Sequence, residues 1–255
     1  MPCVAAGWRG GRPALTLGLA VVAFASGCRG TPDEPRLLTV SVASSLGPAM
    51  TDLAASFEAA HPDVEVALNL AGSSSLREQI LAGARVDVFA AADRQEMAPL
   101  AAADALATPP RPFASNRMAI AVRRGVPSGW RLESFAEPEL LVGLCAQHVP
   151  CGRWAHEVLE RGGVEPSVDS REPHVRALVT KVAEGELDLG LVYESDLLSA
   201  EVDSVAIPAE HNVVVSYPIA VLSEARVPEA ARAFVTFVLA APGQRVLARY
   251  GFGPP

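Results

Sequence analysis

Lysine is almost absent from this chain: Lys181 is the only one in 255 residues. Lys and Arg together number 21 against 29 Asp and Glu, a formal charge of −8. Residues 1–27 carry Arg9 and Arg12 and no acid, so the remainder stands at −10. A nucleic-acid surface needs clustered bases, and their scarcity excludes nucleic acid as a partner. A small anion is not excluded, because neutral hydrogen-bond donors suffice to hold one.

Familiar catalytic motifs are missing as well. The chain has no G-x-S-x-G elbow, no His-Glu-x-x-His helix and no phosphate-binding P-loop. Asp87, Asp93, Asp188 and Asp196 are read as capping and structural groups rather than catalytic acids. Cys145 or Cys151 with His148 is a nucleophile–base pair on paper only, since a thiol with a second cysteine so near should be oxidised once exported. The expectation is a binding protein, not an enzyme.

No apolar run is long enough to span a membrane, which takes roughly 20 residues. The N-terminus instead reads as an export signal at 1–27: Arg9 and Arg12, the apolar "PALTLGLAVVAFA", then small residues. "ASGC" resembles a bacterial lipoprotein cleavage site, which makes Cys28 the expected lipidated residue; a simple secretory signal cleaved nearby is the alternative. Polar, proline-bearing 28–36 suits a tether. The protein is expected outside the cytoplasm, periplasmic or at the cell surface, held there by one lipid anchor.

Cysteine is scarce, and the four split by position. Cys3 leaves with the signal and Cys28 is the lipid site, so Cys145 and Cys151 remain in an oxidising compartment. A disulfide is the first assignment. A zinc site would need about two further ligands from His148, His156 or carboxylates, and the five intervening residues are not the C-x-x-C spacing of a redox centre.

What is present is an alternation of strand and helix. "LLTVSVA" (37–43), "VEVALNL" (64–70) and "VDVFAAA" (86–92) read as strands, separated by helices over 48–60 and from "SSLREQILAGA". A second unit follows, with strands at 117–124, 139–146, 187–193 and 213–222 and helices at 152–163 and 174–186. Two helices close the chain after Pro228. This is an α/β pattern with parallel sheets and crossover helices.

In such sheets, ligands sit beyond the carboxyl ends of strands, where helix N-termini point. "ASSL", "AGSSSL", "VPCG" and "EPHV" all fall at those junctions. Their hydroxyls and first-turn amides are all donors, a set suited to a fully ionised oxyanion.

In order and spacing, "VSVASSLGPAM", "NLAGSSSLREQILAGARVDVFAAAD", "HVPCG", "VRALVTKVAEGELDLGLVYESD", "YPIAVL" and "RYGF" resemble the substrate-binding protein of bacterial molybdate ABC importers, over residues 37–253. The resemblance implies a two-lobed periplasmic-binding fold of class II type, each lobe a mostly parallel sheet flanked by helices, with the ligand in the cleft between them. Lobe 1 would be 37–115 with 218–255, and lobe 2 would be 116–217. It implies molybdate or tungstate as ligand, an ABC permease as membrane partner, a monomer, and no cofactor. Carried over residue by residue, it places Ser45, Ser73 and Tyr193 as hydroxyl donors and Cys151 and Val175 as backbone donors. These would meet the molybdenum only through its oxygens. Cys151 departs from the alanine usual in the family, which leaves a main-chain contact intact. Sulfate or phosphate binding on the same fold is the alternative.

Overall fold

The computed structural model describes residues 35–126, 129–198 and 200–255. The export signal, Cys28 and nearly all of the tether lie outside the described residues. No described helix is long and apolar enough to cross a membrane.

The first unit is β1 (Arg36–Ala43), α1 (Gly47–Ala60), β2 (Val64–Ala71), α2 (Ser73–Leu81), β3 (Val88–Ala90) and α3 (Ala98–Ala102). β1 pairs in parallel with β2 on one side and β3 on the other. It is buried from Leu38 onward except at half-buried Thr39, and both α1 and α2 pack against it. Met50, Leu53, Ala54 and Phe57 recur on one helix face and are all buried. Pro48 sits in the first turn of α1, where a missing N–H costs nothing.

The chain then crosses through β4 (Arg111–Val122) into β5 (Val142–Cys145), α4 (Pro150–Gly162), β6 (Ser170–Glu172), α5 (Val175–Ala183), β7 (Leu189–Tyr193), α6 (Glu194–Leu197) and β8 (Asp203–Ala206). It returns through β9 (Val214–Val221) to α7 (Pro228–Leu239) and α8 (Ala241–Arg249). Gly163 ends α4 in the left-handed region, φ 66°, which a residue without Cβ enters freely.

All strands belong to one mixed sheet of order β2-β1-β3-β9-β4-β7-β5-β6, with β8 also on β4. Two parallel triplets, β2-β1-β3 and β7-β5-β6, flank the antiparallel pair β9-β4. β4 serves both sides along its length: Arg111–Arg117 pairs with β9, Met118–Val122 with β7, and Ala119–Val122 also with β8. The sheet therefore curls, and the carboxyl ends of strands from both triplets converge on one pocket.

The α/β alternation expected from sequence is present; the short helices α3 and α6 were not expected, β5 begins at Val142 rather than 139, and other strands differ as well. β4 begins at Arg111, ahead of the expected 117, and a register shift between Pro112 and Ala114 accommodates the proline. β6 and β8 are extra strands, both short, the first polar and the second half apolar. The third strand, Val88–Ala90, is shorter than the expected 86–92, although the Asp87 backbone still bonds Thr39 O and the Leu222 N–H on either side.

Candidate functional site

One pocket is lined by Ser45, Ser73, Cys151, Val175 and Tyr193 together, with Gly72 and His174 between them. Its volume is about 20 Å³, more than the ~10–15 Å³ that a single water requires. No Asp, Glu, Lys or Arg lines it.

Each of the five sits where a strand ends or a helix begins. Ser45 lies in the 3-10 turn Ser44–Leu46 that joins β1 to α1. Ser73 opens α2 directly after β2, Val175 opens α5, and Tyr193 closes β7. Cys151 is the second residue of α4. The first helical hydrogen bond of α4 is Arg153 N–H to Val149 O at 3.0 Å, and that of α2 is Leu76 N–H to Gly72 O at 3.0 Å. The amides of Cys151, Gly152, Ser73, Ser74 and Ser75 precede these bonds, so their helices give them no acceptor. Helix dipoles add positive potential at the same end.

Two glycines allow this convergence. A Cβ on Gly72 would stand 3.1 Å from Pro173 O and 3.3 Å from the Cβ of His174, so the N-terminal ends of α2 and α5 touch. A Cβ on Gly152 would stand 2.0 Å from Ala146 O, which holds the start of α4 against the loop before it.

Donor accounting separates the serines. Ser73 Oγ accepts the Ala92 N–H at 3.1 Å, so its own proton is available to the pocket. Ser74, its neighbour, gives its hydroxyl to Glu96 Oε1 at 3.1 Å and faces His148 O at 3.4 Å, and does not line the pocket. Tyr193 is 1% exposed and its hydroxyl has no hydrogen-bond partner. The Tyr217 hydroxyl lies close enough to Tyr193 for a weak hydrogen-bonding influence, though not in bonding geometry, and Ser45 and Asn116 already engage it. Burial pushes the Tyr193 phenol well above its ordinary pKa, so it stays a protonated donor.

Cys145 and Cys151 are joined by a disulfide with Cα atoms 5.7 Å apart. The bridge closes the loop Ala146–Pro150, which is braced by Ala146 N–H to Glu172 O at 2.8 Å and Val149 N–H to Ala146 O at 3.1 Å. Both sulfurs are thereby consumed, and the zinc and nucleophile readings of this loop fall. Among the described residues no group of three or more His, Cys, Asp or Glu could hold a metal ion.

The four aspartates act as structural groups. Asp87 accepts from Thr39, Arg226 and Val227 amides, and Asp93 caps the turn at Gln95 and pairs with Arg153. Asp188 accepts the Leu141 N–H and pairs with Arg123, and Asp196 accepts the Tyr193 N–H.

Sequence reasoning overlooked His174, Asn116 and Tyr217. His174 Nδ1 accepts the Ala177 N–H at 3.1 Å and so caps α5, which places the ring proton on Nε2. Burial, with help from Arg176, lowers its pKa against the pull of Glu172, keeping the cap neutral. Asn116 and Tyr217 lie on the crossing strands β4 and β9, behind Ser45.

The sequence profile of the family described as bacterial extracellular solute-binding protein matches residues 38–253. This chain belongs to that family. Molybdate-binding protein ModA of Mycobacterium tuberculosis (strain ATCC 25618 / H37Rv) is 39% identical over 236 residues, covering 91% of this chain and 90% of the relative. Among solved structures, the periplasmic molybdate-binding protein of Azotobacter vinelandii superposes with a TM-score of 0.74 at 18% identity, covering 86% of this chain and 99% of that one. The sulfate-binding protein SubI of M. tuberculosis H37Rv superposes with 0.75 at 20% identity, covering 86% and 87%. These two likenesses speak for the fold alone, which is periplasmic-binding-protein-like. As a member of this solute-binding family the chain is a non-catalytic, extracytoplasmic binding component of transport.

Proposed function

We propose that this solute-binding protein captures molybdate or tungstate as a tetrahedral dianion and hands it to its permease. The observation that carries the reading is the Tyr193 hydroxyl, fully buried and without a partner at a pocket that no carboxylate lines. A buried hydroxyl left unpaired costs roughly 1–3 kcal/mol, which a ligand oxygen would recover. Ser45, Ser73 and Tyr193 supply hydroxyls; Cys151 and Val175 supply amides at two helix N-termini. Every one of these groups donates, which matches an oxyanion that only accepts and disfavours a protonated phosphate, which must also donate. The 39% identity to a molybdate-binding relative supports molybdate over other anions.

The fold reads as two lobes, 37–115 with 218–255 and 116–217, joined through β4 and β9. Ser45 and Ser73 belong to the first and Cys151, Val175 and Tyr193 to the second, so ligand capture and lobe closure are one event. Residues 1–27 are the export signal and Cys28 the lipid anchor, and the protein works as a monomer.

Calorimetric titration with molybdate, tungstate, sulfate and phosphate tests the reading. Molybdate and tungstate should bind much more tightly than sulfate, and phosphate least. Sulfate is the second reading, favoured by the donor-only lining, which suits any fully ionised tetrahedral dianion. Equal affinity for sulfate and molybdate, or no binding at all, would overturn the molybdate claim.

A further inference from the structure

We infer that Tyr217 is a positioning residue for oxyanion capture: with Asn116 it fixes the direction in which the Ser45 hydroxyl donates. The inference rests on the oxyanion reading of the pocket and adds to it a residue that does not line the pocket.

The orientation of Asn116 is set first. Its Oδ1 accepts the Arg117 N–H at 2.9 Å, and a backbone N–H only donates, so the amide cannot be flipped. Nδ2 therefore faces Ser195 Oγ at 2.8 Å and Tyr217 Oη at 3.5 Å. Tyr217 Oη receives on that side, so its own proton turns the other way, to Ser45 Oγ at 3.3 Å. Ser45 Oγ then accepts, and its proton is left for the pocket. A lone serine hydroxyl is a free rotor that donates or accepts as neighbours dictate. Here the chain Asn116, Tyr217, Ser45 removes that freedom before any ligand arrives. Preset donors need no reorganisation when the charge appears.

The relay is held rigidly. Asn116 is 4% exposed and Tyr217 is completely buried. The Tyr217 ring meets Tyr193 edge-on at 5.9 Å and Phe252 at 5.4 Å, so it has no room to swing. Burial, the dominant cause, pushes the Tyr217 phenol far above its ordinary pKa, so the proton that defines the direction stays on. Asn116 on β4 and Tyr217 on β9 belong to the two crossing strands, which links the hydroxyl of Ser45 to the part of the sheet that joins the parallel triplets.

The test is a double-mutant cycle read by calorimetric titration with molybdate. Tyr217→Phe and Ser45→Ala should each weaken binding about tenfold, and the double variant should bind no more weakly than Ser45→Ala alone. A merely structural role for Tyr217 would multiply with the serine loss whether or not the hydroxyl is present. Multiplying losses in the double variant, or wild-type affinity for Tyr217→Phe, would overturn the relay while leaving the transport reading intact. A wild-type protein that binds no oxyanion would overturn both together.

Discussion

Arg153 Nη2 donates to Glu96 Oε1 at 2.6 Å and to Asp93 Oδ2 at 2.9 Å, two residues beyond Cys151. The contact ties the first turn of α4 to the loop after β3, and Arg77 Nη1 completes it by holding Glu96 Oε2 at 2.6 Å. Both carboxylates are buried, with side chains 3% and 0% exposed. Burial works against the Arg153 charge, but Glu96 and Asp93 outweigh it and raise the guanidinium pKa. On the two-lobe reading, this cluster is a latch that forms when the cleft closes. Arg153→Met should therefore speed oxyanion release and weaken affinity by ~1–2 kcal/mol, since two buried carboxylates lose a partner while one keeps Arg77. Stopped-flow fluorescence from Trp154, one residue away, reads the release rate; an unchanged rate would sink the latch.

Tyr193→Phe should move stability and affinity in opposite directions. The hydroxyl has no partner in the ligand-free protein, so removing it deletes an unsatisfied buried group and the melting temperature should hold or rise. The same change removes a ligand donor, and molybdate affinity should fall by ~1–3 kcal/mol. Ser73→Ala should cost a similar affinity but also some stability, because Ser73 Oγ holds the Ala92 N–H. A joint fall in both properties for Tyr193→Phe would mean that the hydroxyl is structural.

How far the sequence carried the argument depends on whether the deciding interaction was local. β1 and β2 are short apolar runs bounded by helical segments, and as strands they were legible, although β2 is mostly half-buried. β6, "SRE", and β8, "DSVA", are strands only because β5 and β4 offer them a ladder, and nothing in runs of three or four residues announces that. The first half of β4 was hidden by Pro112, which forbids a regular central strand and is accommodated by a register shift. In the run Ser73 to Ser75 the residue types are identical, so the phase of α2 had to decide which hydroxyl meets the pocket and which meets Glu96. Asn116, Tyr217 and Ser45 are brought together across more than a hundred residues, and no local pattern encodes that contact.

The disulfide should act on affinity through the amide of Cys151. A bridge across a sequence separation of 6 restricts the unfolded chain by about 2 kcal/mol on the loop-entropy account. It also holds the braced loop that sets the start of α4. Cys145→Ser/Cys151→Ser should lower unfolding stability by about that amount and weaken molybdate binding several-fold without abolishing it, since the amide remains. Denaturant melts and titrations of the variant against wild type check both. Complete loss of binding with stability intact would mean that a sulfur, not the amide, meets the ligand.

Asp196 should give stability an unusual pH dependence. Its side chain is buried, Oδ2 accepts the Tyr193 N–H at 3.2 Å, and Oδ1 has no partner. Burial raises its pKa to about 7, against the lowering effects of the Tyr193 amide and Arg176. An unfolded aspartate titrates near ~4. The folded state thus holds more protons between about pH 4 and 7, so this contribution is fully present below that window. It is lost as pH rises through the window and stays lost above it. Asp196→Asn mimics the protonated form and cannot ionise. Relative to wild type it should be neutral near pH 4 and more stable at pH 8 by on the order of 3 kcal/mol. Comparing the two proteins removes the opposite trend from Glu172, whose pKa Lys181 and Ser170 hold down despite burial. The substitution also removes a negative charge next to Tyr193, so oxyanion affinity at pH 8 should rise. A stability difference that stays flat from pH 4 to 8 would show that Asp196 remains ionised throughout.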